Sequence, residues 1–560
     1  MAQSRRCDAF RSELRGYMTN TMQYRPLVGG CGSDRQVLPT ATLFRKSRDV
    51  RRAGWKSRTT DTPGREEEID MRDEKTRNTR RRFVVIATLA LSAVLFACGG
   101  GSTQPPPPPT PSAVPFINQP LVPDAVAPGG AGFTLTVNGT GFVTGSTVMW
   151  NGSKRTTTFL SSSKLTASVA ASDIATAGTA SVTVSNPTPG GGVSNVDFFQ
   201  VTSPSSSVTF AISTQASNEL MQRMVAPDLN GDGKLDLVGV TGAKSSPGLT
   251  VRLGNGDGTF QTEVDYGTAC GGDDVVVRDF NGDGKLDIAV LCPGFVSVLL
   301  GNGDGTFQSH LDSPTHTDLR DFGIAAGDFN GDGKLDVVVG YQYPASNSVS
   351  VLLGNGDGTF RAPVDYPTGN EPGAVAVADL NHDGKLDIVA ANFGQFGGNT
   401  VSVLLGNGEG TFKPQVQYTT SNGPLSVIAA DFDGDGNIDL AVDCSCGSGS
   451  PCGYPGAVSI LLGNGDGTFR SHVDYDVTAF PYTVSSGDYN ADGHLDLLIP
   501  DLDTSQVSLL LGNGDGTFSP AVIYGPTGIG PVGVAPGDFN GDGRLDAVIG
   551  TAGGFTTLLQ

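Results

Sequence analysis

The sequence predicts an all-β chain, a seven-bladed β-propeller over residues 205–560 preceded by a small β-sandwich over 116–204. Three observations carry this. Glycine makes up 79 of 560 residues while charged residues are only 17%, a composition of short strands and tight turns rather than of a coiled coil or a charged disordered chain. A nine-residue pattern, D-x-[DN]-x-D-G-x-x-D, recurs from Asp228, Asp279, Asp328, Asp379, Asp431, Asp488 and Asp538, at steps of 49 to 57 residues. A second pattern, LGNG[DE]GTF, occurs six times, from Leu253, Leu300, Leu353, Leu405, Leu462 and Leu511. Steps near fifty residues mark stacked supersecondary units that cannot bury their faces alone.

The N-terminal part reads as an address rather than a domain. Basic residues from Arg72 to Arg82 precede a 15-residue apolar run, Phe83–Ala97, that ends at Cys98. At about 1.5 Å per residue the run is short for a membrane span and has the length of a signal-peptide core. Leu95-Phe96-Ala97-Cys98 resembles a bacterial lipobox, which implies lipidation of Cys98 as the mature N-terminus. Residues 98–115 are a proline-rich tether of polyproline II character. With a complete leader at 71–97, Met71 reads as the start and 1–70 as a disordered upstream extension. The expected location is the bacterial cell envelope, at the outer membrane or cell surface, with the membrane reached through Cys98.

Residues 1–97 carry a net +9 and the remainder a net −30. That surplus excludes nucleic acid as a main partner and calls for bound cations or salt.

In 116–204, Phe133, Leu135 and Val137 alternate, as do Val182 and Val184, between Gly/Asn/Ser turns. This is the pattern of a small sandwich. The stretches PGGAGFTLTVNGTGFVTGSTVMWNG and LTASVAASDIATAGTASVTVSNPTPGGGVSN resemble the IPT/TIG immunoglobulin-like domain. The resemblance implies a spacer or adhesive module.

One repeat shows the plan of all seven. Ala374–Ala378 is strand A, the Asp379–Asp387 loop follows, Leu386–Ala390 is strand B and Val401–Leu405 strand C. The Gly406–Gly410 turn needs positive φ, and Phe412, Pro414, Val416 and Tyr418 alternate along strand D. Four antiparallel strands per repeat describe a propeller blade. The chain stops in a strand C, at Phe555–Gln560, and Val208-Thr209-Phe210 stands at the front like an orphaned strand D. The first strand is therefore expected to complete the last blade and pair both edges. The array resembles the FG-GAP/VCBS repeats of integrin-α-type propellers.

The repeated loop has the chemistry of a calcium site. Calcium takes six to eight hard oxygens at about 2.3–2.6 Å. Positions 1, 3, 5 and 9 offer side-chain oxygens, position 7 a carbonyl, and glycine at 6 a sharp bend. The donors are Asp228, Asn230, Asp232, Lys234 and Asp236 in the first loop, then Asp279, Asn281, Asp283, Lys285 and Asp287. The third and fourth loops offer Asp328, Asn330, Asp332, Lys334 and Asp336, and Asp379, Asn381, Asp383, Lys385 and Asp387. The fifth, with one more carboxylate, offers Asp431, Asp433, Asp435, Asn437 and Asp439. The last two offer Asp488, Asn490, Asp492, His494 and Asp496, and Asp538, Asn540, Asp542, Arg544 and Asp546. About seven Ca²⁺ are expected. A helix-flanked EF-hand needs Glu at position 12, where the first loop has Gly239. His382 and His494 are not expected to coordinate through their rings, and the GNGDG turns read as bare hairpin turns.

Cys270 lies nine positions before its loop and Cys292 five after it, so antiparallel strands A and B bring them together as a disulfide. Cys444 matches Cys292, but Asn422 stands in the partner's place, so Cys444 is expected to pair with Cys446 or Cys452.

No GxSxG, HExxH, phosphate loop or GxGxxG motif occurs, and the carboxylates follow a regular structural pattern. The reading is a non-enzymatic, calcium-stiffened binding or adhesion module for an unidentified protein or glycan. The alternative is a lectin or carbohydrate-active enzyme on the same scaffold, disfavoured because Trp150, the one tryptophan after the leader, falls in the sandwich. The calcium loops and GNGDG turns share one side, and the connections of variable length share the other. There Tyr341, Tyr343, Phe393, Phe396, Tyr454, Phe480 and Tyr482 are expected to form the ligand face, since variable loops on a rigid scaffold commonly carry binding. The integrin-α resemblance implies the same face.

Overall fold

The computed structural model describes residues 112–560, save 124, 206, 217–220, 242–247, 269, 317–319, 344–346, 395–396 and 447–454. The leader, Cys98, Phe396, Cys452 and Tyr454 lie outside the described residues. The described residues are all-β, with helix among them confined to short 3-10 turns such as Ala171–Ile174.

The N-terminal module stacks two sheets. One runs Phe116–Val122, Phe133–Thr140, Lys164–Val169, Thr157–Ser161 in spatial order. The other is built on Gly178–Asn186, flanked by Asp197–Val201 and Thr147–Trp150. Inward positions alternate with outward ones, as in the buried Leu135 and Val137 or Val182 and Val184. Trp150 is 1% exposed and packs between Phe199 at 5.0 Å and Phe133 at 6.4 Å. It is a core residue of the sandwich.

Residues 211–559 form seven four-stranded antiparallel sheets. The fourth comprises Pro372–Ala378, Asp387–Asn392, Thr400–Leu404 and Val416–Thr419, strands A to D. Strands B and C are buried on both faces and so read as continuous apolar runs rather than alternations. Strand D is the outer edge and leaves Val264, Val364, Val416 and Val473 more than half exposed.

Adjacent sheets share a recurring aromatic contact at most steps, though not after the second sheet, whose strand D has Ser313 in place of the tyrosine. The strand D tyrosine meets the following repeat's GTF phenylalanine edge-on: Tyr266–Phe307 at 5.3 Å, Tyr366–Phe412 at 5.0 Å, Tyr418–Phe469 at 5.3 Å and Tyr475–Phe518 at 5.4 Å. The seventh sheet takes its strand D from the front of the array. Ala211–Ala216 pairs with Gly554–Leu559, from Ala211 opposite Leu559 to Ala216 opposite Gly554. Phe210 then fills the phenylalanine position of the seventh repeat, 5.0 Å from Tyr524. Phe539 of the seventh loop meets Phe260 of the first repeat at 5.7 Å, and the Gly258 amide donates to the Phe539 carbonyl at 2.8 Å. The seventh sheet thus meets the first through its loop phenylalanine and the turn amide. The pairing strand lies just after Val208–Phe210, because Phe210 is used as the aromatic plug.

Candidate metal-binding loops

The seven loops join strand A to strand B and share one hydrogen-bonding scheme. The position-nine carboxylate is fully buried and ties two pieces of chain together. Asp236 accepts from the Leu229 amide at 2.8 Å and from the Gly254 amide, the first glycine of the C–D turn, at 2.9 Å. Asp387 does the same with Leu380 and Gly406, Asp439 with Phe432 and Gly463, and Asp496 with Tyr489 and Gly512. In the last repeat, which has no turn, the Gln560 amide takes that place on Asp546 at 2.8 Å. Loop and turn therefore sit at the same end of every sheet.

The position-one carboxylate organises the bend. Asp228 Oδ1 accepts from the Gly231 and Asp232 amides, and Oδ2 from Gly233 at 2.9 Å. Asn230 Oδ1 accepts from the Asp232 amide, and Asp232 from that of Lys234. Gly231 and Gly233 have φ of 72° and 80°, which L side chains avoid. At position four His382 and Ala491 adopt φ 56° in place of glycine. The His382 ring is turned out of its own loop, with Nε2 3.0 Å from Asn437 Oδ1 of the next one.

Packing carboxylates this closely raises their proton affinity. Burial, followed by the neighbouring aspartates, pushes Asp236 and Asp287 up to about 6, Asp387, Asp439 and Asp546 to about 7, and Asp336 and Asp496 to about 8. Burial likewise raises Asp279, Asp379 and Asp431 at position one. The facing lysines relieve little: Lys234, Lys285 and Lys385 stand 3.9–4.0 Å from Asp232, Asp283 and Asp383 on the surface. In the fifth loop, oxygens of Asp431, Asp433 and Asp439 lie within 4.8 Å of one another. Hard oxygens gathered on a tight bend suit a hard divalent cation.

The C–D turns satisfy themselves. Asp257 Oδ1 accepts from the Thr259 amide at 3.0 Å and from the Thr259 hydroxyl, and the Asn255 amide donates to the Thr259 carbonyl. The threonine bonds hold this carboxyl below its ordinary value.

At the other end of the sheets the expected ligand face is corrected. Tyr341, Phe393 and Tyr482 are buried and offer no ring to a ligand. Tyr341 stands within strand B, which runs on to Tyr343, rather than in a connection. Phe393 and Tyr482 pack with Leu425 and Val532 in an apolar cluster that Phe480 also joins. Rings on these connections are drawn into the gap where the inner strands converge. The Tyr343 side chain lies outside what is described.

That end holds a constellation unread in the sequence. The Arg223 guanidinium lies over Phe322 and over Tyr482, 5.4 Å from each ring centre. Asp443 is fully buried, neither of its carboxylate oxygens has a hydrogen-bond partner among the described residues, and burial raises it well above its ordinary value although Arg223 opposes this. The visible sign was an aspartate inside the strand B run Leu440-Ala441-Val442-Asp443.

Cys270 and Cys292 are joined by a disulfide with Cα atoms 5.8 Å apart. Cys444 is a free, buried thiol, correcting the pairing expected for it. It packs in the core between neighbouring sheets.

A family model described as FG-GAP-like repeat matches residues 228–290, 279–339, 328–390, 383–442, 448–499 and 488–549, together more than half of the chain. The IPT/TIG domain matches 119–201. No curated protein matches the chain. Among solved structures, one similar to this chain is an Agrocybe aegerita lectin described as recognising non-reducing terminal N-acetylglucosamine. It is 20% identical, covers 68% of this chain and 96% of its own, and has a TM-score of 0.40. Another is BBS1N in complex with ARL6DN, 12% identical, with 63% and 96% coverage and a TM-score of 0.43. An auxiliary nutrient binding protein from Bacteroides ovatus is 12% identical, with 80% and 99% coverage and a TM-score of 0.31. The chain belongs to the FG-GAP-like repeat family and carries an IPT/TIG domain ahead of its repeats.

Proposed function

We propose that this chain is an exported binding module: a closed, seven-bladed β-propeller stiffened by calcium at its A–B loops and held at the cell envelope by a lipid on Cys98. Its partner is a surface protein or glycan, and it performs no chemistry. The observation that carries the calcium reading is the stacking of three or four carboxylates in every loop around a position-nine aspartate with raised proton affinity. Such a cluster is relieved by a proton or by a cation. The donors would be the carboxylates at positions 1, 5 and 9 (and 3 in the fifth loop), the position 3 asparagines elsewhere, and the position 7 carbonyls. When bound, calcium supplies the positive charge that lets these groups stay ionised. The position-nine carboxylate would pass that rigidity to the C–D turn through the amide it already holds.

The test is capture from native cell envelopes with the lipidated chain, in millimolar calcium and in chelator. A partner retained only in calcium is expected. Capture that ignores calcium would sink the link between the loops and binding. Intact mass of the membrane-extracted protein should show an acylated Cys98, and a mature form starting elsewhere would remove the anchor from the reading.

A further inference from the structure

The seven loops are not equivalent, because the sandwich is seated on some of them. A carboxylate oxygen accepts about two hydrogen bonds, so a carboxylate has about four acceptor positions. At Asp228 three are filled, all by the loop's own amides, and at Asp279 the count is the same. At Asp328 the same three are filled by Gly331, Asp332 and Gly333, and the fourth, on Oδ2, is taken by the Val114 amide at 3.1 Å. At Asp538 the fourth is taken by the Thr179 amide, also at 3.1 Å and also on Oδ2. Thr179 belongs to the sandwich and Val114 to the segment leading into its first strand, which is tied to the sandwich through Ser112 and Gly191; both lie more than two hundred residues away in sequence from the aspartates they reach.

The position-six glycines report the same cover independently. A methyl group on Gly233, Gly284 or Gly436 would meet nothing within 4 Å. One on Gly333 would run into the Ser112 carbonyl, and one on Gly543 into the Gly178 amide. Two loops therefore have backbone of the sandwich or of the segment leading into it where the first, second and fifth have open space.

We propose that the sandwich and calcium compete for the loops beginning at Asp328 and Asp538. The proposal rests on the calcium reading above and adds to it that the sandwich is a latch set by calcium. The position a cation would use on the aspartate is held in these two loops by a neutral N–H. A cation entering there must displace that amide, leaving a polar group at the interface without its acceptor. By linkage, the docked sandwich lowers calcium affinity at these loops and calcium at these loops weakens docking. At low free calcium the sandwich stays seated, and at high free calcium two further ions enter and release it.

The experiment is equilibrium dialysis against calcium followed by elemental analysis, on the unmodified chain and on a V114P/T179P chain. The two prolines delete the two N–H donors and leave every loop residue in place. At a free calcium that fills the remaining loops, the unmodified chain should hold two ions fewer than the variant. Equal numbers in both chains would overturn the competition while leaving the calcium reading standing. No bound calcium in either chain would overturn both. Small-angle scattering of the unmodified chain decides the matter even if the variant does not fold. Uptake of the last two ions should be accompanied by a rise in radius of gyration, and a constant radius through full loading would overturn the latch.

Discussion

In chelator the repeat array is expected to lose stability steadily from pH 5 to pH 9, and millimolar calcium is expected to abolish that loss. The position-nine aspartates lie at about 6 to 8 in the fold, against 3.8 ordinarily. A carboxyl raised by folding binds its proton more tightly in the native state. The stability it contributes is fully present below about pH 4 and is lost as pH rises through 6 to 8. Seven such groups act in the same direction. Calcium would replace the proton as the compensating charge, so the gap between loaded and chelated melting points should widen with pH. Each ion at a hundred times its dissociation constant would add about 2.7 kcal/mol if it bound the folded state alone. The contributions need not sum, because neighbouring sheets share contacts. Melting curves across this pH range, with calcium and with chelator, are the measurement. A chelated chain with a flat profile, or equal midpoints at pH 8, would contradict both the loop electrostatics and the calcium reading.

Within one loop, two aspartates should behave in opposite ways. Asp439→Ala is expected to destabilise the fold by about 3–5 kcal/mol in chelator already, and by more in calcium where the ion is lost too, because the buried Phe432 and Gly463 amides both lose their acceptor, at about 1–3 kcal/mol each, and a cavity is left. Asp435 is exposed; its carboxylate accepts from the Asn437 amide and side chain and stands against the Asp433 carboxylate, holding no buried amide among the described residues. Asp435→Ala should cost under about 1 kcal/mol in chelator and reduce bound calcium by one ion per chain. Urea titrations in chelator and in calcium separate the two. Equal losses in chelator would mean that position nine is not the tie between loop and turn.

Much of this was legible from residue order because it depends on neighbours along the chain. The D-x-[DN]-x-D-G-x-x-D pattern specifies its bend through positive φ at two positions and through amides two to five residues from their acceptors. The strands follow from apolar runs between such bends, and the period follows from their spacing. The pairing of Ala211–Ala216 with Gly554–Leu559 was readable in part, since the repeat plan leaves a strand D pattern ahead of the first loop. Phe210 shows the limit: it was read as part of that strand, and it is the aromatic plug before it.

The loops, the repeat, the sandwich and the proximity of Cys270 to Cys292 were thus determined by the sequence alone, because each rests on turn chemistry, strand alternation or the meeting of adjacent antiparallel strands. Tertiary structure alone decided which side chains remain available. Tyr341, Phe393 and Tyr482 were expected to be exposed, yet Phe393 and Tyr482 fill an apolar gap left by the converging inner strands and Tyr341 is buried between two sheets. Cys444 is buried by a neighbouring sheet that its own repeat does not specify. Arg223 and Asp443 are 220 residues apart, and Val114 and Asp328 are 214 apart. No local pattern encodes such meetings, because they arise only when seven sheets and a sandwich settle against one another and burial forces each polar group to find a partner or go without.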